Sequence, residues 1–227
     1  MTDSLPTLAV GYDVPGRRTG RSGLSVRTCS RAYENTIRMG TNETTREIMG
    51  LFNRYGHLSY GEGCTQLEHA VQAGWFAAER GYDDELVAAA FLHDIGHIYP
   101  LQLEGASVVE MGGYGLEAHD RWGEEFLRSR GFSDRIVATV RNHVASKRYL
   151  CHAEAGYAAS LSAASRETLA HQGGPMTSKE AAAFEQDPYF EDSLRLRRLD
   201  EAAKLTDFPV TAEHMAYFAR LLDRMSA

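Results

Sequence analysis

The chain has 227 residues, 43% of them hydrophobic and 24% charged, and a formal net charge of −7 at pH 7. This length suits one domain with an extension, and the composition is typical of a globular protein. The negative charge gives no general attraction to nucleic acid or to anionic membranes, and no apolar run approaches the roughly 20 residues that span a bilayer. We therefore expect no nucleic-acid partner and no membrane segment.

The three cysteines indicate a reducing compartment. Cys29, Cys64 and Cys151 are an odd, widely spaced set without a CxxC pair, which is unlike a disulfide framework. Residues 1–20 also lack the charged-then-apolar order of a secretory signal peptide. These features predict a cytoplasmic protein with reduced thiols.

Residues 1–40 differ in character from the rest of the chain. They contain Pro6, Pro15 and several glycines, and they show no sustained hydrophobic period. We expect an N-terminal extension here, either a loose tail or an arm lying on the body, and one domain over residues 41–227.

Helix signals are regular from residue 41 onward. Capping-box spacings at Thr65–Glu68 and Thr177–Glu180 mark two helix starts, and Asp187 followed by Pro188 marks a third. With glycines as stop signals, the pattern predicts helices over residues 41–56, 65–81, 83–96, 115–131, 133–150, 177–186, 187–205 and 212–225. Because no strand alternation of useful length is present, the predicted fold class is all-α.

One predicted helix carries ionisable residues in an apolar run. The sequence ELVAAAFLHDIGHIYP at residues 85–100 places His93, Asp94 and His97 among Val, Ala, Phe, Leu and Ile. Burying an ionisable group costs several kcal/mol unless it is paired or bound. This segment is therefore predicted to hold a ligand.

Histidine and aspartate recur on separate predicted helices. Any single histidine is more often an ordinary core or surface residue, and the chain has nine; we assign no role to His57, His152, His171 or His214. Imidazole binds iron, manganese or zinc, and a carboxylate can bridge two cations. Six residues are too many for one ordinary metal site but suit two metals: His69, His93, Asp94, His119, His143 and Asp200.

Cationic or protonatable groups lie about one helical turn from these ligands. His97 follows His93 by four residues, Lys147 follows His143 by four, and Arg197 precedes Asp200 by three. A single Lys or Arg most often lies on a solvated face, but three at this spacing favour an anion pocket. Lys and Arg side chains both suit an oxyanion.

The motif LHDIGH at residues 92–97, with these flanking ligands, resembles the HD-domain superfamily of helical metalloproteins. Within it the chain is similar to mixed-valent di-iron oxygenases that break the carbon–phosphorus bond of small hydroxyphosphonates, and distantly to myo-inositol oxygenase. The resemblance covers about residues 57–207 and lies in segments 66–70, 92–97, 117–133, 142–150, 161–174, 184–188 and 197–207. It implies an HD-domain helical bundle.

The resemblance also implies two iron ions in a mixed Fe(II)/Fe(III) state. His69, His93 and Asp200 would bind the iron that meets substrate. His119 and His143 would bind the other iron, and the Asp94 carboxylate would bridge the two. Phosphonate-contacting positions match His97, Lys147, Ser165, Thr168 and Arg197, of which His97, Lys147 and Arg197 are expected to act in catalysis. Tyr60 and Glu62 match a loop that covers the site and meets the nitrogen end of substrate, although this loop is one residue shorter here.

By this resemblance the reactants are a small organophosphonate and O2, and the products are phosphate and glycine or glycine betaine. The same six ligands would also serve a binuclear HD-type phosphohydrolase, so the ligand count does not separate the two enzymes. His97 and the segments at 161–174 and 197–207 favour the oxygenase. A third alternative, a catalytically inactive HD module, is disfavoured by the complete ligand set.

Aromatic residues favour a trimethylammonium over a primary amine at the nitrogen end, because quaternary ammonium groups bind aromatic faces. The sequence offers Tyr12 and Tyr33 in the extension, Tyr60 in the short loop, and Tyr99 after the motif. The alternative is that the extension only covers apolar surface or mediates an oligomer contact.

Overall fold

The computed structural model describes residues 42–226, and within that range the chain is all-α, as predicted. Isolated β-bridges at Ser59–Thr65 and Glu110–Leu116 are the only extended pairings there. These residues form two short 3₁₀ helices, Ile95–His97 and Tyr99–Gln102, and eleven α-helices: α1 (Glu43–Tyr55), α2 (Gln66–Glu79), α3 (Asp84–Leu92), α4 (His119–Ser129), α5 (Asp134–Arg141), α6 (His143–Ala153), α7 (Tyr157–Ser160), α8 (Ala163–His171), α9 (Ser178–Phe184), α10 (Phe190–Ala202) and α11 (Ala212–Met225).

No helix in residues 42–226 has both the length and the apolar character needed to cross a bilayer. Cys64 and Cys151 are free thiols in this range. The expectations for residues 1–40, for Cys29 and for the tyrosines of the extension fall outside the described residues.

The helix starts follow the local sequence signals. Both capping boxes form, with Thr65 and Thr177 each accepting from the backbone N–H of the glutamate three residues later. Asp83 caps α3 by accepting from the N–H of Leu86 at 3.0 Å. These caps satisfy N–H groups that have no partner in the first helical turn.

Several predicted boundaries are wrong. The predicted helix over 133–150 is two helices, α5 and α6, which meet at Asn142; the buried Asn142 amide donates to Ser193 Oγ at 3.2 Å, which holds the break. The helix predicted to begin at Pro188 begins at Phe190, because Asp187 accepts from the N–H of Tyr189 at 2.8 Å and caps a preceding turn instead.

Helix α3 is the centre of the main core. All its residues from Leu86 to Leu92 are buried, and Phe91 stacks on Phe218 of α11 with ring centroids 4.1 Å apart. Phe52 of α1 also packs against Phe91, with ring centroids 4.9 Å apart. A smaller cluster on α6–α8 contains Leu150, Tyr157, Leu161 and Leu169. The end of α3 therefore points its motif into the middle of the domain.

Gly96 allows α4 to approach the end of α3. The α-helical path stops at Leu92, earlier than predicted, and the chain continues as the 3₁₀ helix Ile95–His97. A Cβ at Gly96 would lie 1.8 Å from the carbonyl oxygen of His119 and 2.7 Å from the nitrogen of Gly123. Only a residue without a side chain permits this contact, which brings the first residue of α4 beside the motif.

We therefore expect Gly96→Ala to destabilise the fold. The clash with the α4 backbone should lower the free energy of unfolding by at least about 1–3 kcal/mol, the usual range for overpacking. The matched control is Gly50→Ala in α1, where a Cβ meets nothing within 4 Å and should add about 0.5–1 kcal/mol. Denaturant unfolding measures both; equal stability of Gly96→Ala and the natural chain would contradict the contact.

Candidate functional site

Five parts of the fold bring the six predicted metal ligands together. His69 lies on α2, His93 and Asp94 follow α3, His119 begins α4, His143 begins α6, and Asp200 lies on α10. All six side chains are buried, and His69 and His93 have no exposed surface. Ligand atoms within 4.8 Å of one another form two clusters: His69, His93 and Asp200, and Asp94, His119 and His143.

Backbone carbonyls fix the orientation of the four histidine rings. Each Nδ1 lies 2.6–2.8 Å from a carbonyl oxygen: Ala203 for His69, Ala90 for His93, Leu116 for His119 and Val140 for His143. A carbonyl can only accept, so each Nδ1 carries the hydrogen. Each Nε2 therefore presents its lone pair to the centre of the site, as in metal-binding histidines.

These lone pairs face one another at short range. The Nε2 atoms of His69 and His93 are 3.0 Å apart, and those of His119 and His143 are 2.9 Å apart. Two unprotonated nitrogens at this distance repel unless a proton or a cation lies between them. The arrangement therefore fits one cation at each pair.

Asp94 stands between the two pairs. Its Oδ2 lies 3.4 Å from Nε2 of His69 and 3.2 Å from Nε2 of His93. Its Oδ1 lies 3.7 Å from Nε2 of His119 and 3.4 Å from Nε2 of His143. One carboxylate oxygen thus faces each pair, which is the arrangement a bridging ligand requires.

Each cluster contains a histidine whose pKa is raised: His69 in the first, and His143 in the second, where burial disfavours the charged form but the hydrogen bond to the Asp94 carboxylate outweighs it. Burial disfavours the charged form of His69, but hydrogen bonds to the Asp200 and Asp94 carboxylates outweigh it and raise its pKa to about 9. Burial and repulsion from His143 lower the pKa of His119 to about 4. Metal binding at the first cluster therefore displaces a proton and should strengthen as pH rises.

His97 is buried beside the ligands but has the opposite tautomer. Its Nδ1 accepts from the backbone N–H of Leu116 at 3.0 Å, so the ring hydrogen is on Nε2, which lies 3.9 Å from Oδ1 of Asp94. Burial, followed by repulsion from His119, holds the pKa of His97 well below its usual range. His97 is thus a neutral N–H donor.

Gly115 makes room for this ring. Its φ is +97°, and a Cβ there would lie 2.5 Å from Cε1 of His97. Because Gly115 has no side chain, the segment before α4 can lie against the His97 imidazole. The backbone N–H of Leu116 can then donate to Nδ1 of His97.

A pocket opens on one side of the clusters. All seven residues predicted to bind substrate line it: Tyr60, Glu62, His97, Lys147, Ser165, Thr168 and Arg197. Asp94, His119, His143 and Asp200 form part of its floor.

Lys147 and Arg197 supply positive charge to the pocket wall. Lys147 Nζ donates to Oγ1 of Thr168 at 2.8 Å, and burial, followed by the charge of Arg197, lowers its pKa to about 7. The buried guanidinium of Arg197 contacts the Asp200 carboxylate and donates to the hydroxyl of Tyr157 at 3.0 Å. Arg197 therefore orients a metal ligand as well as facing the pocket.

The loop before α2 closes another side. The ring of Tyr60 stacks on His69 with centroids 3.7 Å apart, and its hydroxyl donates to Oδ1 of Asp200 at 3.3 Å. Glu62 lies 3.0 Å from Nζ of Lys204 and accepts from the hydroxyl of Ser162.

The sequence analysis did not single out some residues that lie at or near the pocket. Lys204 follows Asp200 by four residues, the same spacing that identified Lys147, and it reaches the pocket loop through Glu62. Tyr114 and Met111 also line the pocket, but they lie in an irregular segment without a helical period. Tyr99, in contrast, lies away from the pocket, since its buried ring packs on Phe126 at 4.6 Å.

Comparison with known proteins identifies the family of this domain. Residues 66–205 match the HD domain family. The chain belongs to the HD-domain family. In combination with the two clusters, this membership indicates a binuclear metal centre.

Three relatives of this HD-domain protein cover most of its length. An uncharacterized protein of Acanthamoeba polyphaga mimivirus is 38% identical over 72% of this chain and 74% of its own. A protein of Leisingera caerulea is named 1-hydroxy-2-(trimethylamino)ethyl phosphonate dioxygenase (glycine-betaine-forming). It is 37% identical over 78% of this chain and 88% of its own length. A protein of Gimesia maris named hydroxymethylphosphonate dioxygenase is 35% identical over 74% of this chain and 82% of its own length.

The pKa of Lys147 predicts how anion binding depends on pH. Its ammonium is charged below about pH 7 and loses its proton above it. Sulfate keeps its charge across the neutral range, so its affinity should fall from pH 6 to pH 9 by about ten- to a hundredfold, the worth of one charge-assisted hydrogen bond. Calorimetric titration measures this.

The conservative variant Lys147→Arg should remove the part of that dependence between pH 6 and pH 8, below the pKa of about 9 of His69, because a guanidinium stays charged throughout this range. Lys179→Arg, at an exposed position on α9, is the matched control and should behave like the natural chain. The same loss of affinity in Lys147→Arg would assign the pH dependence to another group.

Proposed function

We propose that this HD-domain protein catalyses the iron- and O2-dependent cleavage of the carbon–phosphorus bond of a small 1-hydroxyphosphonate. The products are inorganic phosphate and a carboxylic acid. The observation that carries the proposal is the placement of Lys147, Arg197 and the N–H of His97 on the open side of a two-cluster metal site. Two relatives named as phosphonate dioxygenases support the same reaction.

The ligands support iron as the metal. Four imidazoles and two carboxylates form a mixed nitrogen and oxygen set that suits iron. When bound in the Fe(II)/Fe(III) state, the pair would supply O2 activation and the redox capacity for substrate oxidation. His69, His93 and Asp200 would hold one ion, His119 and His143 the other, and Asp94 would bridge them.

The pocket residues bind and orient the substrate. Lys147 and Arg197 offset the charge of the phosphonate, and Nε2–H of His97 donates to one of its oxygens. The hydroxyl of Thr168 holds the Lys147 ammonium at 2.8 Å, and Ser165 lies on the same face of α8. Because these groups are buried and already paired, little reorganisation accompanies charge development on phosphorus.

The far end of the substrate meets a more aromatic wall. Tyr60 and Tyr114 line the pocket together with Glu62; one face of the Tyr60 ring lies against His69, which leaves its other face and the Tyr114 ring for a ligand. Aromatic faces attract a quaternary ammonium, with about 0.5–2 kcal/mol for each good contact. This favours the trimethylammonium substrate and glycine betaine as product over 2-amino-1-hydroxyethylphosphonate and glycine.

Two further predictions accompany this function. Free Cys64 and Cys151 support a cytoplasmic location. The proposed domain over residues 41–227 contains every residue assigned to the site, and residues 1–40 are proposed as an extension.

The decisive experiment compares phosphate release with and without oxygen. Protein loaded with Fe(II) is given 1-hydroxy-2-(trimethylammonio)ethylphosphonate, and phosphate and O2 consumption are measured together. We expect phosphate to form only with O2 and in proportion to the O2 consumed. His119→Ala should abolish release, whereas His171→Ala, at an exposed position, should not. Equal phosphate release without O2 would instead identify a binuclear phosphohydrolase, which the same ligands could serve.

A further inference from the structure

An ion pair at the pocket edge ties three parts of the chain together. Lys204 Nζ lies 3.0 Å from Oε1 of Glu62 and donates to Oγ of Ser165 at 2.8 Å. The Ser162 hydroxyl donates to the same Glu62 oxygen. The Lys204 and Glu62 side chains are only 15% and 14% exposed, so solvent screens this pair less than a surface pair. The contacts join the loop before α2, the start of α8 and the residues after α10.

The Lys204–Glu62 pair neutralises the carboxylate of the described pocket lining that lies outside the metal clusters. Among the described residues that line the pocket, the carboxylates are Asp94, Asp200 and Glu62, and the first two belong to the metal clusters. Glu62 is thus the carboxylate left to receive a cationic substrate group. Lys204 already neutralises it.

The chemistry of the substrate's nitrogen end decides whether the neutralisation of Glu62 changes its affinity. The contacts of Lys204 and Ser162 both fall on Oε1 of Glu62, so a primary ammonium would bind at Oε2 of a carboxylate that Lys204 already neutralises, and its hydrogen bond there would gain little charge attraction. A trimethylammonium group donates no N–H bond, so it does not depend on that carboxylate and can use the open face of Tyr60 and the ring of Tyr114 instead. The affinity of a substrate without nitrogen does not depend on the charge of Glu62.

We infer that Lys204 is a specificity-determining residue that selects against primary-amine phosphonates by neutralising Glu62. This inference rests on the proposed function, since it assumes that the pocket takes small hydroxyphosphonates. The Lys204 ammonium would separate two similar substrates by neutralising Glu62 and repelling a second cation, rather than by adding a new attraction.

The test measures binding by calorimetry without O2, so that no oxidative turnover occurs. Iron-loaded natural chain and Lys204→Met are titrated with hydroxymethylphosphonate, 2-amino-1-hydroxyethylphosphonate and its trimethylammonium counterpart. The first has no nitrogen and serves as the reference, because any loss of the Lys204–Ser165 contact affects all three alike. Relative to it, Lys204→Met should bind the primary amine about tenfold more tightly, the effect of one charge-assisted hydrogen bond, and the trimethylammonium compound only a few-fold more tightly.

Glu62→Gln provides the opposite perturbation and a safeguard if Lys204→Met folds poorly. It leaves the Lys204 charge uncompensated, so both cationic compounds should lose affinity relative to hydroxymethylphosphonate. Lys179→Met at the exposed α9 position is the control and should leave all ratios unchanged.

The outcomes separate this inference from the proposed function. If Lys204→Met changes all three affinities by the same factor, or if Glu62→Gln leaves the ratios unchanged, the role of Lys204 is overturned and the proposed function stands. If the natural chain binds none of the three compounds, the proposed function is overturned, and the inference with it.

Discussion

Hydrogen bonds from four imidazole Nδ1–H groups to backbone carbonyls are the constraint on which the site depends. They leave four Nε2 lone pairs facing inward in two pairs, at 3.0 and 2.9 Å. Such an arrangement is stable only with protons or cations between the nitrogens, and Asp94 lies where it offers one oxygen to each pair. The fifth buried histidine, His97, reverses the pattern by accepting at Nδ1, which leaves its N–H on Nε2 as the donor that we propose for substrate.

The backbone departs from regular helix where it must supply these ligands. Helix α3 ends at Leu92, one residue before His93, and α5 and α6 break at Asn142, one residue before His143. Helix α4 begins at His119 directly after Ala118, whose φ of 59° is unfavourable for a residue with a side chain. For these three ligands the acceptor is the carbonyl three residues earlier. A helix terminus thus provides both the ligand and its orientation.

Much of this arrangement could be predicted from the sequence because it is local. Capping residues such as Thr65 and Asp83 define helix starts, and the spacing from His143 to Lys147 places both on one helical face. The break at Asn142 could not be predicted, since it depends on Ser193, which is 51 residues away. The Lys204–Glu62 pair spans 142 residues, and Tyr99 lies near the motif in sequence yet packs into the core. Contacts of this kind follow from tertiary packing alone.

The shared carboxylate is the central claim, and X-ray diffraction at the iron absorption edge tests it most directly. Crystals of iron-loaded protein should show two anomalous peaks per chain, one among His69, His93 and Asp200 and one beside His119 and His143, with an oxygen of Asp94 contacting each. A single peak, or two peaks of which Asp94 contacts only one, would contradict the account.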